Sequence, residues 1–181
     1  MALGDISQTD LAYAAGVIDS DGCVTASRSK MVNGISFRIA VSMTNIQDQI
    51  PLWFKETFGG RISKTTVTRS GKKIFNSTYK WQLQCRKAAD FLELIVPYLK
   101  LKKERSEAAI KLARLHRIKG ANGHRIAGSG TYRAGNFAPL TEAETEQRTA
   151  LALIIRIANR SSNFRVQFVE KPFEVTTNVV G

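Results

Sequence analysis

Two runs of alternating side chains, joined by Asn33-Gly34, commit this chain to an antiparallel hairpin with one apolar and one polar face. Thr25, Ser27 and Ser29 fall on one side of the first run and Val24 and Ala26 on the other. Phe37, Ile39, Val41 and Met43 alternate with Ser36, Arg38, Ala40 and Ser42 in the second. A second hairpin is predicted over Arg61–Arg69 and Lys73–Cys85, turning at Ser70-Gly71-Lys72. Tyr79, Trp81, Leu83 and Cys85 would face inward and Thr78, Lys80, Gln82 and Gln84 outward. Sheets with one apolar face need a layer to cover it, and the remaining sequence supplies helical periods. Ser7-Gln8-Thr9-Asp10 reads as a capping box opening a helix from Leu11 to about Asp19, ending at Asp21-Gly22. There Gly22 is expected to take the left-handed conformation of a helix terminus. Further helices fit Gln47–Phe58, entered through Pro51 and closed by Gly59-Gly60, then Lys87–Tyr98, Lys103–Lys119 and Thr141–Arg160. The reading is one α+β domain over residues 1–181 in the order αββαββα. Its core covers about 7–119, and a C-terminal helix and extension cover 120–181. The extension includes a Gly-rich loop, Gly120–Pro139, and a strand pair or extended arm over Phe164–Val175.

Charge narrows the function. The net charge is +12, and such an excess on a compact domain calls for a polyanionic partner. Ten basic residues lie between Gly22 and Gln84 (Arg28, Lys30, Arg38, Lys55, Arg61, Lys64, Arg69, Lys72, Lys73 and Lys80). Only Asp48 and Glu56 oppose them, both in the intervening helix, so neither hairpin carries an acid. Ordinary soluble surfaces mix both signs. The outward faces also offer hydroxyls and amides, the groups that read base edges and phosphates. The candidate nucleic-acid contacts are Thr25, Ser27, Ser29, Lys30, Ser36, Arg38, Ser42, Arg61, Ser63, Thr65, Arg69, Lys72, Lys73, Thr78, Lys80 and Gln82. No apolar run is long enough to span a bilayer. The basic residues sit on strands and not along an amphipathic helix, so no membrane partner is expected. Cys23 and Cys85 have no second ligand at zinc spacing and read as two buried free thiols. With no secretory leader at Met1, they point to an intracellular, reducing compartment.

The chemistry should sit at the end of the first helix. Ala12, Ala15 and Gly16 give it small residues that let a second helix approach closely, and it terminates in two acids, Asp19 and Asp21. Carboxylates at a helix C-terminus oppose its dipole at about 0.3–1 kcal/mol each. Two such violations at one spot suggest a functional site. Asp-Ser-Asp-Gly by itself is also an ordinary turn. Following a small-residue helix and preceding basic hairpins, it reads better as a site for a divalent cation, since carboxylate and carbonyl oxygens suit Mg²⁺.

Ala14-Ala15-Gly16-Val17-Ile18-Asp19-Ser20-Asp21-Gly22 resembles the signature of the LAGLIDADG homing endonucleases, matching it at Ala15, Gly16, Ile18, Asp19, Asp21 and Gly22. The order of elements agrees over about residues 7–119. The resemblance implies a LAGLIDADG fold whose hairpins form a DNA-binding saddle. It also implies a nuclease that makes a metal-dependent, staggered double-strand break in a long pseudo-palindromic site of double-stranded DNA. One motif per chain implies a homodimer, packed through Ala12, Ala15, Gly16 and Asp19. Carried onto this sequence, Asp21 and the Ser20 carbonyl would bind Mg²⁺, with Ca²⁺ a non-cleaving substitute and Mn²⁺ another ion the site could accept. Asn45 would orient the attacking water. Lys102, in Leu99-Lys100-Leu101-Lys102, would offset charge developing on the phosphate. Asn45 reads equally as a cap for the helix after it, and Lys102 as a surface lysine. Two rival functions fit the same resemblance: an intron RNA maturase, with RNA as a partner, and a non-catalytic DNA-binding regulator that would dispense with the acids.

Overall fold

Alternation sets which way each strand faces, and pairing follows from it. In this computed structural model, describing residues 6–31, 34–66, 68–69, 72–73, 77–115 and 140–160, strand β1 (Gly22–Met31) pairs antiparallel with β2 (Gly34–Asn45) from Gly22↔Met43 to Met31↔Gly34. Strand β6 (Thr78–Gln84) adds to the other edge of β2, and β3 (Arg61–Thr65) adds to β6. The sheet therefore runs β1-β2-β6-β3, all antiparallel. Beyond β3, Thr68–Arg69 (β4) and Lys72–Lys73 (β5) form a separate two-stranded ribbon. Residue 33 of the first turn, residues 70 and 71 of the second, the Gly120–Pro139 loop, the Phe164–Val175 arm and positions 116–119 lie outside the described residues.

Val24, Phe37, Ile39, Val41, Met43, Trp81 and Leu83 share one face of the sheet and are buried there. Helices α1 (Gln8–Asp21), α2 (Gln49–Phe58), α3 (Cys85–Ile95), α4 (Lys103–Arg114) and α5 (Glu142–Arg160) supply the rest of the core. At its centre, Phe54 and Phe91 pack against Trp81, with ring centroids 4.8 and 5.2 Å from it, and the half-buried Phe58 packs against both phenylalanines. The indole N–H donates to Gly59 O at 2.7 Å. Gly59 and Gly60 take φ of +73° and +97°, and a Cβ on Gly60 would sit 2.8 Å from Trp81 Nε1. The paired glycines are thus fixed by the tryptophan they wrap.

Several boundaries differ from expectation: α1 begins at Gln8, α2 at Gln49, and the arms of the second hairpin shorten to Arg61–Thr65 and Thr78–Gln84. The alternating pattern carried the last strand to Cys85, but Cys85 opens α3 at φ +53°, and a short 3-10 turn, Val96–Tyr98, separates the end of α3 from the approach to α4. Ser7 does cap α1, accepting Asp10 N–H at 3.1 Å. The reciprocal bond differs: Asp10 Oδ2 accepts from the Ser7 hydroxyl at 2.6 Å. Arg114 bridges Asp90 and Glu93, both at 2.7 Å, tying α4 to α3. The carboxylates raise its already high pKa.

Candidate active site and nucleic-acid interface

Helix α1 delivers the acidic motif to one end of the sheet. Its carbonyls run out of helical donors after Ile18, whose oxygen accepts the Gly22 N–H. Lys102 supplies what is missing. Its ammonium donates to Ile18 O at 2.7 Å, Asp19 O at 2.6 Å and, more weakly, Ser20 O at 3.4 Å. Asp19 answers in the opposite direction. Its carboxylate accepts the backbone N–H groups of Lys100 (2.6 Å), Leu101 (3.2 Å) and Lys102 (2.9 Å). Burial, followed by repulsion from Arg105, lowers the Lys102 pKa against the pull of Asp19, Cys23 and Asp21. Asp21, the last residue of the helix, is exposed and makes no hydrogen bond or salt bridge among the described residues. Gly22 is extended (φ −84°, ψ 162°) and not left-handed. Glycine is needed there for space, because the Ile18 backbone lies directly against it.

Asn45 ends β2, and its Oδ1 accepts Gln47 N–H at 2.9 Å. This closes a local turn ahead of α2 and is not a helix cap, since the N-cap position of α2 is Asp48, which has no side-chain cap. The sheet face away from the helices carries Thr25, Ser27, Ser29, Ser36, Arg38, Arg61, Ser63, Thr65, Thr78, Lys80 and Gln82, exposed or half-buried. Register places them in rows across the strands, such as Thr44–Lys80–Ser63 and Cys23–Ser42–Gln82–Arg61. Thr25 and Ser27 each donate to the carbonyl opposite, Ala40 O and Arg38 O, at 3.3 Å, which directs their lone pairs outward.

No protein-family model matches the sequence, and no curated protein matches it. Solved structures do. The chain superposes on the homing endonuclease I-CvuI, in complex with its target in the presence of calcium, with a TM-score of 0.60 at 15% identity, covering 88% of this chain and 87% of that one. The archaeal intron-encoded homing endonuclease I-Vdi141I, complexed with DNA, gives 0.59 at 16% identity, covering 92% and 89%. I-SmaMI, bound to uncleaved DNA with calcium ions, gives 0.51 at 19% identity over 84% of this chain but 46% of that one. The chain has the LAGLIDADG homing-endonuclease fold.

Within this LAGLIDADG fold, several expected site residues sit elsewhere than the sequence placed them. Ala15 is fully buried in the protomer's own core with Ala14 and Ile18. The exposed small residues of α1 are Ala12 and Gly16, beside Tyr13, which is 49% exposed and stacks edge-on against Trp53. The Asp19 carboxylate is engaged within the protomer. Lys30 shares the parity of Val24 and Ala26 and so faces the helix side. Ser42 is only 8% exposed, between its cross-strand neighbours Cys23 and Gln82. Arg69, Lys72 and Lys73 pair through their backbones in the outer ribbon, and their side chains fall outside those described.

Other features of the structure escaped the sequence reading. Cys23 is exposed on the outward face, two positions after Asp21, and not a buried thiol; Cys85 is half-buried. Its place after Asp21-Gly22 on an alternating strand could have shown this. Asn159 on α5 donates to Val24 O at 2.7 Å and accepts from Arg105 at 2.8 Å. Arg148, buried, donates to Leu115 O at the end of α4. Neither contact leaves a local signal. No helix among the described residues is long and apolar enough to cross a membrane.

Proposed function

We propose that this protein is a site-specific DNA endonuclease that cuts double-stranded DNA as a homodimer, with a divalent cation held at the end of α1. The observation carrying this reading is the juxtaposition at that helix end. An exposed Asp21 carboxylate, with no hydrogen bond or salt bridge among the described residues, stands beside a lysine-capped carbonyl cluster, at the border of an acid-free basic sheet. The fold's solved neighbours I-CvuI and I-Vdi141I are complexes with DNA, which supports the same use of the sheet here.

The donor set fits a hard cation. Asp21 offers a carboxylate and Ser20 a carbonyl that keeps a free lone pair, both oxygen and both at the surface. Mg²⁺ suits two protein oxygens, with its other positions left to water and phosphate. Bound there, it would supply Lewis acidity to a phosphate oxygen and acidify water. The chain's own residues do the remainder. Lys102 holds positive charge within reach of the Ser20 carbonyl, where an approaching phosphate meets it. Asn45, its Oδ1 fixed by Gln47 N–H, has Nδ2 left to orient water. Arg61, Lys80 and Arg38 bind the DNA backbone, and Gln82 and the hydroxyl row face the bases.

Gly16 favours the homodimer. A Cβ there would meet nothing within 4 Å, yet glycine inside a helix costs about 1 kcal/mol relative to alanine. The described residues of the protomer give no steric reason for it; close approach of a second α1 does.

Cleavage selection from a randomised duplex library, run with Mg²⁺ and with Ca²⁺, tests the reading. Recovery of one long pseudo-palindromic site with Mg²⁺, its loss in Asp21→Asn, and retained binding with Ca²⁺ are expected. Wild-type cleavage rates in Asp21→Asn would overturn the metal assignment. Selective binding of RNA without cutting of DNA would favour a splicing role.

A further inference from the structure

The exposed end of α1 is attached to the rest of the protomer by a reciprocal exchange between residues 83 positions apart. The carboxylate of residue 19 takes three backbone N–H groups around residue 102, and the ammonium of residue 102 takes three carbonyls around residue 19. We propose that Asp19 is a positioning residue of the cleavage site, acting through Lys102 to hold the Ser20 carbonyl and the Asp21 carboxylate at fixed spacing. This inference rests on the endonuclease reading.

Chemistry gives each half of the exchange a separate task. The Lys100–Lys102 segment precedes α4 in non-helical conformation, and the Lys102 N-cap position has no side-chain cap of its own. Its free N–H groups would otherwise point at solvent, and the segment would be free to shift. An ionised carboxylate accepting several N–H groups makes strong, charge-assisted bonds, so Asp19 pins that segment against α1. Once pinned, the Lys102 side chain has a short, defined reach back to the helix end. There its charge complements the negative pole of α1. Asp19 thus touches neither DNA nor cation in this arrangement. Removing it would leave Asp21 in place but release the lysine and the carbonyl beside it. A neutral asparagine at 19 keeps one acceptor, loses the other and loses the charge, while preserving volume.

The test compares Asp19→Asn, Lys102→Met and the double variant with the wild-type protein on its selected duplex. Three quantities are read: single-turnover cleavage against Mg²⁺ concentration, DNA affinity in EDTA, and, in metal-free protein, hydrogen exchange at the Lys100 and Lys102 amides. Asp19→Asn is expected to slow cleavage or raise the Mg²⁺ requirement by about 10–100-fold, the usual effect of losing a partner that orients metal ligands. DNA affinity in EDTA should stay within about threefold of wild type, and exchange at the two amides should accelerate. The double variant should be no slower than Lys102→Met, because two residues acting as one unit are not additive. Cleavage by Asp19→Asn at the wild-type rate, unchanged amide exchange, or multiplying losses in the double variant would each overturn the proposal. If Asp19→Asn does not fold, Lys102→Met, which leaves the Asp19 carboxylate on the Lys100 N–H, should keep amide protection at Lys100 while cleavage falls; lost protection there would overturn the proposal. A wild-type protein that cuts no duplex would instead remove the endonuclease reading, and the positioning role with it.

Discussion

A Cβ placed on Gly22 would stand 2.6 Å from both the Cα and the carbonyl oxygen of Ile18. The turn from α1 into β1 therefore has no room for any other residue, although its φ is ordinary. Gly22→Ala should destabilise the protein by about 1–3 kcal/mol, the range for forcing a methyl group into filled space. Urea unfolding checks this. Because the backbone must move where Asp21 sits, cleavage should fall further than DNA affinity does. Unchanged stability would mean that the turn can rearrange freely.

Gly16 separates the demands of the protomer from those of the pair. Gly16→Ala should not harm protomer stability, since a Cβ meets nothing within 4 Å. Gly16→Leu should fill the space that a second helix needs. Sedimentation is expected to show a dimer in the wild type and a monomer in Gly16→Leu, which should no longer cut both strands. A leucine variant that remains a dimer and cleaves would place the interface elsewhere.

DNA affinity should fall steeply with salt, by about 0.9 in the slope of log K for each phosphate neutralised. Arg61 and Lys80 both lie on the outward sheet face. Replacing both with alanine should flatten that slope by about 2, with similar loss on every duplex. Gln82→Ala, directly opposite Arg61 and two residues from Lys80 on the same strand, should leave the slope alone and relax base preference at one position. Equal salt slopes in all three proteins would take the sheet out of the interface.

Lys102 gives the pH prediction. Burial, then Arg105, lowers its pKa in the folded protein below the ordinary lysine value. Between the lowered and the ordinary value the unfolded chain holds more protons, so stability from this residue rises with pH across that window. The cost of burying its charge is fully present below the window. Melting temperatures of the wild type relative to Lys102→Met should therefore improve as pH climbs through the alkaline range. A parallel course for the two proteins would contradict the shift.

The hairpins and their facing were legible because a period of two leaves each side chain one of two directions, and Gly59-Gly60 and Ser7 punctuate the helices between. The pattern failed where it outran its cause. Alternation continues through Cys85, but the chain turns there at positive φ to begin α3. Ala12, Ala15 and Gly16 looked like one stripe from residue size alone. Successive helical residues lie about 100° apart, and Ala15 falls on the side that the sheet and α3 bury. The two acids were given different roles, Asp21 as the cation ligand and Asp19 as a packing residue, but the partners of Asp19 were not found. Asp19 meets its partners 81–83 residues away, and no local spacing encodes that contact. Asn159 and Arg148 escaped notice for the same reason, since each acts across the tertiary structure on a backbone carbonyl.

Strand β1 is one of the two edges of the sheet, bonded among the described residues to β2 alone. Such a border is a template on which another polypeptide can add itself, the usual start of ordered aggregation. Asn159 occupies the Val24 carbonyl, and α5 lies along the strand. The last helix is thus a guard on an adhesive margin, and a chain shortened before Glu142 would be expected to cling to its own kind.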